Sequence, residues 1–378
     1  MSRFPSLSNA DAADRASRHA ALSLGLSLPA DTVLYLLLPM YAAQFGVSLA
    51  EAGVLLAANR LVRIAGYAHV ARAYARHGDR PVILLAVGAS ALCALGYATL
   101  SGFWTLLPLR LLWGLAYGAL NLSTQTQATA RALGAARRTG RAGALVALGP
   151  VLALPLAACL AQQWGPRPVF FVLSAVALGA LPIARRLPDC AHPTPPRTRR
   201  LRLPGSLDLW SFLEGLTLDG LFVIGLAYFG SRAVPQGAVW VSGVLLATRY
   251  LGEILLSPLG GRLAERLGAE RLLLHLSILT ALALLGFSAG WLWSGAAAIV
   301  VLRALQLPLL APIVAHRTPG PGRVQALAAR AVWRDIGAGA GPLLAGLLLP
   351  LAPPLLLYGV PAALLALAAW ACVQRRAA

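Results

Sequence analysis

Long apolar segments alternate with short basic loops along the whole chain. Twelve segments are apolar over about 20 residues, the length that an α-helix needs to cross the roughly 30 Å hydrocarbon layer of a bilayer. We number them span 1 to span 12, and they are predicted at residues 19–45, 49–71, 81–101, 104–127, 142–162, 168–184, 208–231, 237–258, 272–290, 293–315, 325–349 and 354–373. The pattern predicts an all-α membrane protein with twelve transmembrane helices.

The longest polar interruption, residues 185–207, follows span 6 and is rich in proline and arginine. Such a composition is typical of a flexible linker. The sequence therefore predicts two six-helix bundles with a tail at each end. The expected boundaries are 1–18 for the N-terminal tail, 19–184 for the first bundle, 185–207 for the linker, 208–373 for the second bundle and 374–378 for the C-terminal tail.

Composition supports a lipid environment and excludes an ordinary soluble protein. Hydrophobic residues make up 58% of the 378 residues and charged residues 12%, with a mean hydropathy of +0.71. That charged share is about half of what a soluble domain carries. We expect no cleavable signal peptide, because the first apolar segment contains Asp31 and is longer than a signal-peptide core.

The basic charge reports the orientation in the membrane. All 32 basic residues are arginine, and the net charge is +19. Of the arginines outside the spans or at their ends, 23 lie in the tails and alternate loops on one side, and only Arg167 and Arg232 lie on the other. Positive residues are retained on the cytoplasmic side. We therefore expect both termini in the cytoplasm, an inner-membrane location and no role for nucleic acid.

The sequence gives no sign of a metal centre, a cofactor or a disulfide. The six histidines are scattered over different loops and spans, three of the four cysteines lie inside apolar spans, and no lysine is present to complete a Walker motif. No cofactor, no nucleotide-driven transport and no enzyme activity are therefore expected.

The two halves of the chain repeat each other. Residues 53–80 align with residues 243–270 without a gap, and ten of the 28 positions are identical. Similar spacing relates Asp31 to Asp219, Arg110 to Arg303 and Gly149-Pro150 to Gly341-Pro342. Parallel repeats of this kind place a substrate site between the halves near the bilayer midplane.

Ionisable residues are confined to certain spans. Spans 3, 6 and 12 carry none, and span 9 carries only His275. Because a charge facing lipid is costly, the remaining spans should surround a polar centre. Leaving out Glu51 and Asp208 at the span ends, seven arginines and five carboxylates lie within these spans. The positive excess in the interior of the spans indicates an anionic substrate. The expected substrate cavity comprises Asn59, Arg60, Arg63, Arg249, Glu253, Arg303, Arg334 and Asp335. Static pairing is the alternative role for these groups, for example Arg334 with Asp335.

The loop after span 8 has Gly261, Glu265, Arg266 and Gly268 at the spacing G-x-x-x-E-R-x-G, with Leu263-Ala264 before the acid. This loop resembles the G-x-L-A-D-R-x-G signature of the major facilitator superfamily, and the resemblance to that family extends over essentially the full chain. The loop after span 2 keeps Arg76 and Gly78 but has Ala75 at the acidic position. The resemblance implies a charge lock between the halves that is weaker on that side. It also implies that span 2 faces span 11 and span 5 faces span 8.

Within the helices, Arg110 begins a segment similar to the family's R-x-x-x-G-x-x-x-G pattern, whose arginine is associated with proton coupling. Gly149-Pro150 of span 5 resembles the antiporter motif, and Gly341-Pro342 of span 11 fits that pattern better. Together with the loop residues, these pairs are the expected conformational or gating positions. Simple packing kinks are the alternative.

Asp31 is the candidate proton-coupling carboxylate, with Asp219 as its counterpart in the second half. Pro29 and Pro39 flank Asp31 and predict a broken helix around it. The alternative is a static pair with Arg60 or Arg63, the nearest positive charges by sequence.

These features together predict a monomeric transporter that exchanges protons for a small molecule by alternating access and exports an organic anion such as a metabolite, chelator or drug. An uptake symporter for an organic anion is the alternative, and a non-transporting membrane sensor is a more distant one.

Overall fold

The computed structural model describes residues 7–189, 204–233, 238–349 and 351–374, and these ranges are helical with no β-strand among them. Helices of the first half are Leu7–Ser27 and Pro29–Met40 (span 1), Leu49–His77 (span 2), Asp79–Thr99 (span 3), Phe103–Ala128 (span 4), Ala135–Trp164 (span 5), and Pro166–Leu178 with Leu181–Ala184 (span 6).

The second half repeats this arrangement. Its helices are Ser206–Glu214, the π-helix Gly215–Leu221 and Phe222–Ala233 (span 7), Ala238–Leu267 (span 8), Ala269–Ser288 (span 9), Leu292–Gln306 with Leu310–Arg317 (span 10), Arg323–Leu348 (span 11) and Pro354–Gln374 (span 12). The predicted all-α fold with twelve spans is confirmed. The first helix begins at Leu7, inside the predicted N-terminal tail, whereas most of the predicted linker (190–203) and the last four residues lie outside the described ranges.

Nine helices in the described ranges are long and apolar enough to cross a membrane. The spans outside this group are 2, 8 and 11, which carry much of the membrane charge. Span 2 packs against span 11, and span 5 packs against span 8, so that both contacts join the two halves. This is the pairing that the resemblance implies. The charged spans therefore face protein, which spares their charges from lipid.

Spans 3, 6, 9 and 12 lie at the periphery. Span 3 packs against span 6, and span 9 packs against span 12. Their outward leucines are exposed, including Leu85 at 75% and Leu356 at 61%. A surface of this kind is stable in lipid rather than in water.

Exposed tryptophans mark one edge of the apolar belt. Trp104 begins span 4, Trp164 ends span 5, and Trp291 and Trp293 flank the start of span 10, all with exposed side chains. Tryptophan is enriched where lipid meets water. These four lie on the face opposite Leu7 and Gln374, the first and last residues of the described ranges. We call the side of Leu7 and Gln374 the terminal face.

Two glycines of the loop motifs have a local structural reason. Gly78 and Gly268 occupy equivalent places in the repeat, and both have a positive φ, 79° and 86°. Only glycine adopts this conformation without strain. Each ends a long charged span and allows the next helix to begin one residue later.

The topology predicts that the loops at Arg76 and Arg266 lie on the same side of the membrane, with Gln163 on the other. Single cysteines at these three positions, in a background without reactive native cysteines, should be modified by an impermeant maleimide in two groups. Arg76→Cys and Arg266→Cys should react from one side and Gln163→Cys from the other. Labelling of the two arginine positions from opposite sides would contradict the twelve-span topology.

Candidate functional site

A buried ion pair lies at the centre of the first half. Asp31 and Arg110 approach to 2.5 Å, between the Arg110 Nη1 and the Asp31 Oδ1, and the arginine is fully buried. The Arg110 Nε also donates to the Leu55 carbonyl at 3.0 Å. Arg110 therefore links span 4 to spans 1 and 2. Its remaining Nη2 has no hydrogen-bond partner among the described residues.

The local backbone explains how Asp31 reaches this position. Span 1 is interrupted at Leu28, and a new helix starts at Pro29, a residue well suited to the first turn of a helix. Asp31 lies in that first turn, where the helix dipole favours a negative charge. The predicted break is present, but Asp31 itself is in regular helix and is buried.

The alternative pairing of Asp31 with Arg60 or Arg63 is wrong, because Arg110 is its partner. Neither Arg60 nor Arg63 pairs with Asp31, because Asn59 is the span 2 residue that faces it, with the Asn59 Nδ2 3.5 Å from the Asp31 Oδ1. Tyr35 supports this contact by donating to the Asn59 side chain at 3.3 Å and to the Leu56 carbonyl at 2.8 Å. The Tyr35 ring also lies 5.5 Å from the Arg110 guanidinium carbon.

The second half contains the repeated pair within a larger network. Asp219 and Arg303 are 2.9 Å apart, and Asp219 also contacts Arg249 at 2.9 Å and Arg334 at 2.5 Å. Three arginines thus converge on one carboxylate. Two further carboxylates complete the network. Glu253 lies 2.6 Å from Arg303, and Glu214 lies 2.9 Å from Arg334.

The two centres are equivalent by sequence as well as by geometry. Asp31 matches Asp219, Arg110 matches Arg303, and Asn59 occupies the repeat position of Arg249. In each half the span 2 or span 8 residue contacts the aspartate. Backbone irregularity is also shared, since Asp219 lies in the π-helix of span 7. π-Helical segments are rare and often occur at functional sites.

Two contacts join the halves near these centres. Arg63 of span 2 makes an ion pair with Asp335 of span 11, with its Nη2 3.0 Å from the Oδ1 and its Nε 2.9 Å from the Oδ2. Arg60 donates to the Ala338 carbonyl at 2.7 Å. The suggested pairing of Arg334 with Asp335 is wrong, because these neighbours point to different helices.

The structure shows which arginines within the spans have no carboxylate partner among the described residues. Each of the five carboxylates is paired with arginine, in the sets Asp31–Arg110, Glu214–Arg334, Asp219 with Arg249, Arg303 and Arg334, Glu253–Arg303 and Asp335–Arg63. Two arginines remain with neutral acceptors in the described ranges. Arg60 contacts a carbonyl, and the buried Arg330 lies 3.4 Å from the Gln125 amide oxygen.

Contacts also join the halves at the terminal face. Glu265 accepts from the Arg137 side chain at 3.0 and 3.2 Å, so this motif residue contacts span 5 in the other half. Arg323 of span 11 donates to the Thr129 carbonyl at 2.8 Å. An ion pair between the halves is thus present at Glu265, whereas Ala75, its counterpart, has no charge to contribute.

Close backbone packing explains several motif glycines. A Cβ added at Gly149 would meet the backbone of Gly25, and one added at Gly341 would meet the backbone of Gly220. Both contacts lie within a half and beside Pro150 or Pro342. Gly261 differs, because it packs against the Ala136 backbone in the other half. The Gly-Pro pairs thus have a packing role, and Gly261 belongs to the interface between the halves.

A cavity of about 470 Å³ opens at the terminal face. It is lined by Arg137, Arg141, Arg262, Glu265 and Arg266. Arg266 and Arg76, its repeat counterpart, are both exposed. This cavity lies at the level of the loops, apart from the buried ion pairs.

Sequence reasoning omitted several residues from the site. Two of them are buried charges, Glu214 and Arg330, and two are neutral residues beside the buried groups, Tyr35 and Gln125. Glu214 and Arg330 carried a signal, since each is an ionisable residue within a span. Tyr35 and Gln125 carried none, because neutral polar residues are common in membrane helices.

Comparison with known proteins agrees with this architecture. The sequence profile of the Major Facilitator Superfamily matches residues 20–236 and again residues 227–377. No curated protein matches the sequence. The solved structures that share the fold include two with a TM-score of 0.77 each.

The first is the human organic anion transporter MFSD10 (TETRAN), 18% identical, with 95% of this chain and 99% of that chain covered. The second is the proton:xylose symporter XylE bound to 6-bromo-6-deoxy-D-glucose, 14% identical, with 96% and 95% covered. The profile match extends over nearly the whole sequence, and the chain belongs to the Major Facilitator Superfamily of transporters.

Proposed function

We propose that this transporter exports a small organic anion in exchange for protons. The observation that carries the proposal is the buried charge arrangement. Two repeated Asp–Arg pairs lie in the halves, and two further arginines, Arg60 and Arg330, have neutral acceptors. A cation held without a counter-charge in a membrane interior is costly, and an anionic substrate supplies that charge.

The orientation follows from the arginine distribution. In the sequence, 23 of the arginines outside the spans fall in the tails and alternate loops on the side of the terminal face, and two fall in loops on the other side. Since cytoplasmic loops retain positive residues, we place the terminal face in the cytoplasm and the protein in the inner membrane.

Proton coupling is assigned to Asp31. In the ion pair the negative charge of Asp31 neutralises the positive charge of Arg110. Protonation of Asp31 therefore breaks the ion pair and releases Arg110 in the same step. The released guanidinium still holds the Leu55 carbonyl of span 2, which transmits the change to the span that faces the other half. Asp219 suits this role less well, because three arginines hold its charge in place.

The substrate class draws on one further comparison. MFSD10 is described as an organic anion transporter, and it shares the fold of this chain at 18% identity. The direction of transport rests on Gly149-Pro150 of span 5, which resembles the antiporter motif. Alternating access between the halves around the midplane site then completes the proposal.

Everted vesicles with an acid lumen should accumulate the substrate. Protons leaving the lumen drive an exporter of this kind to load such vesicles, whereas an uptake symporter empties them. Candidate organic anions are first selected by thermal stabilisation of the purified protein and then supplied in radiolabelled form. Loading that requires an alkaline lumen would contradict export, and the same vesicles without the transporter are the control.

Asp31→Asn should separate exchange from accumulation. The amide keeps the size of the side chain and still accepts from Arg110, but it cannot gain or lose a proton. Substrate exchange across reconstituted vesicles should persist, and accumulation driven by a pH gradient should disappear. Asp219→Asn is the matched variant. Both variants should lower thermal stability, because breaking a buried ion pair from one side costs about 3–5 kcal/mol, but only Asp31→Asn should lose the accumulation driven by a pH gradient. Accumulation by the Asp31 variant against a gradient would refute the assignment.

Arg110→Lys should retain only a small part of coupled transport, and Arg110→Ala none. Arginine contacts Asp31 and the Leu55 carbonyl with two separate nitrogens, which the single ammonium of lysine cannot reproduce. Initial rates in proteoliposomes measure the effect, with Arg72→Lys, at an exposed site on span 2, as the control. Wild-type rates in the lysine variant would give Arg110 a purely structural role.

A further inference from the structure

Pro342 leaves one backbone carbonyl of span 11 without its helical donor. Proline has no N–H, so the carbonyl four residues earlier, that of Ala338, cannot receive its usual hydrogen bond. Arg60 of span 2 donates to this carbonyl at 2.7 Å. A side chain of the first half thus completes the backbone hydrogen bonding of the second half, at the level of the buried ion pairs.

Arg60 contributes a charge that this contact does not balance. It makes no ion pair in the described ranges, although two carboxylates lie nearby. Asp335 is three residues before Ala338 on span 11, and Asp219 of span 7 is near enough to interact with Arg60. Asp335 already forms an ion pair with Arg63, and Asp219 forms ion pairs with three other arginines. Hydrogen bonds from arginine to a carboxylate are about twice as strong as those between neutral groups, and they are often bidentate. A carbonyl is therefore a weaker partner for Arg60 than an anion.

We propose that Arg60 donates its hydrogen bond to the Ala338 carbonyl while no substrate is bound, and that the anionic group of the substrate then replaces this carbonyl as the acceptor. Replacement breaks one of the two central contacts between span 2 and span 11 and leaves the Arg63–Asp335 pair as the other. Substrate binding thereby loosens the interface that alternating access must open. This inference rests on the anionic substrate of the proposed function and names the residue that binds it.

Within the described structure, the arrangement of an arginine with a carbonyl freed by proline occurs at Pro342 and is missing from the equivalent place in the repeat. Pro150 of span 5 is the counterpart of Pro342, and the repeat position of Arg60 is Tyr250, which carries no positive charge. Pro150→Ala is therefore a matched control for Pro342→Ala. It removes the equivalent proline without touching the Arg60 contact.

The contact itself is tested by a double-mutant cycle in detergent. Arg60→Gln should lower the thermal midpoint by a few degrees, because it removes the donor from the Ala338 carbonyl. In the Pro342→Ala background the new N–H supplies that donor, so Arg60→Gln should cost much less. In the Pro150→Ala background it should cost as much as in the wild type. An equal shift in all three backgrounds would overturn the contact.

The replacement step is tested with benzoate, salicylate and citrate, with benzamide and salicylamide as neutral probes. At least one carboxylate should raise the thermal midpoint of the wild type, and the amides should not. Arg60→Gln should abolish the rise, and Arg72→Gln, at an exposed site on the same helix, should keep it. Pro342→Ala should bind that carboxylate several-fold more tightly, because it frees Arg60 from the competing carbonyl.

The outcomes separate the two claims. A carboxylate that stabilises Arg60→Gln as well as the wild type, or that binds more weakly to Pro342→Ala, would overturn the inference and leave the anionic substrate standing. A wild type that none of the carboxylates stabilises would refute both the replacement step and the anionic substrate. If Pro342→Ala does not fold, the carboxylate measurements still test the replacement step with the Arg60 and Arg72 variants alone.

Discussion

The interior of a bilayer offers no water to charged groups, and this constraint accounts for most of what the structure contains. Each of the five carboxylates in the interior of the spans is matched by an arginine, and the charged spans 2, 8 and 11 lie where the halves meet. Spans 3, 6, 9 and 12 are left to face lipid. Pairing of this kind contributes little net stability when compared with apolar packing, but it becomes costly to break from one side. In the proposed function, that asymmetry allows a single proton or a single anion to change the conformational balance.

The repeat sequence was a better guide to the site than proximity along the chain. Apolar length predicted the twelve spans, and the alignment of the halves predicted that Asp31 and Asp219 are equivalent. Proximity suggested Arg60 or Arg63 as the partner of Asp31, yet the partner is Arg110. Adjacent residues on a helix point about 100° apart, so Arg334 and Asp335 reach different neighbours. The rotation of each helix about its axis decides such contacts, and a single sequence does not specify it.

The halves differ in ways that suit different roles. The first half holds one simple pair, Asp31 with Arg110, whose arginine retains an unpartnered nitrogen among the described residues. The second half surrounds Asp219 with three arginines and adds Glu214 and Glu253. A single pair responds to one proton, whereas a network shares the change over many partners. On the terminal face the lock at Glu265 is likewise present on one side, because its counterpart is Ala75.

The central claim is that Asp31 is the group that takes up the coupling proton. Infrared difference spectroscopy of the protein in lipid, with pH as the variable, measures this directly through the carbonyl stretch of a protonated carboxyl group. The account predicts a band that grows on acidification, is absent from Asp31→Asn and is retained in Asp219→Asn. A band that persists unchanged in Asp31→Asn, or one that is lost only in Asp219→Asn, would contradict it.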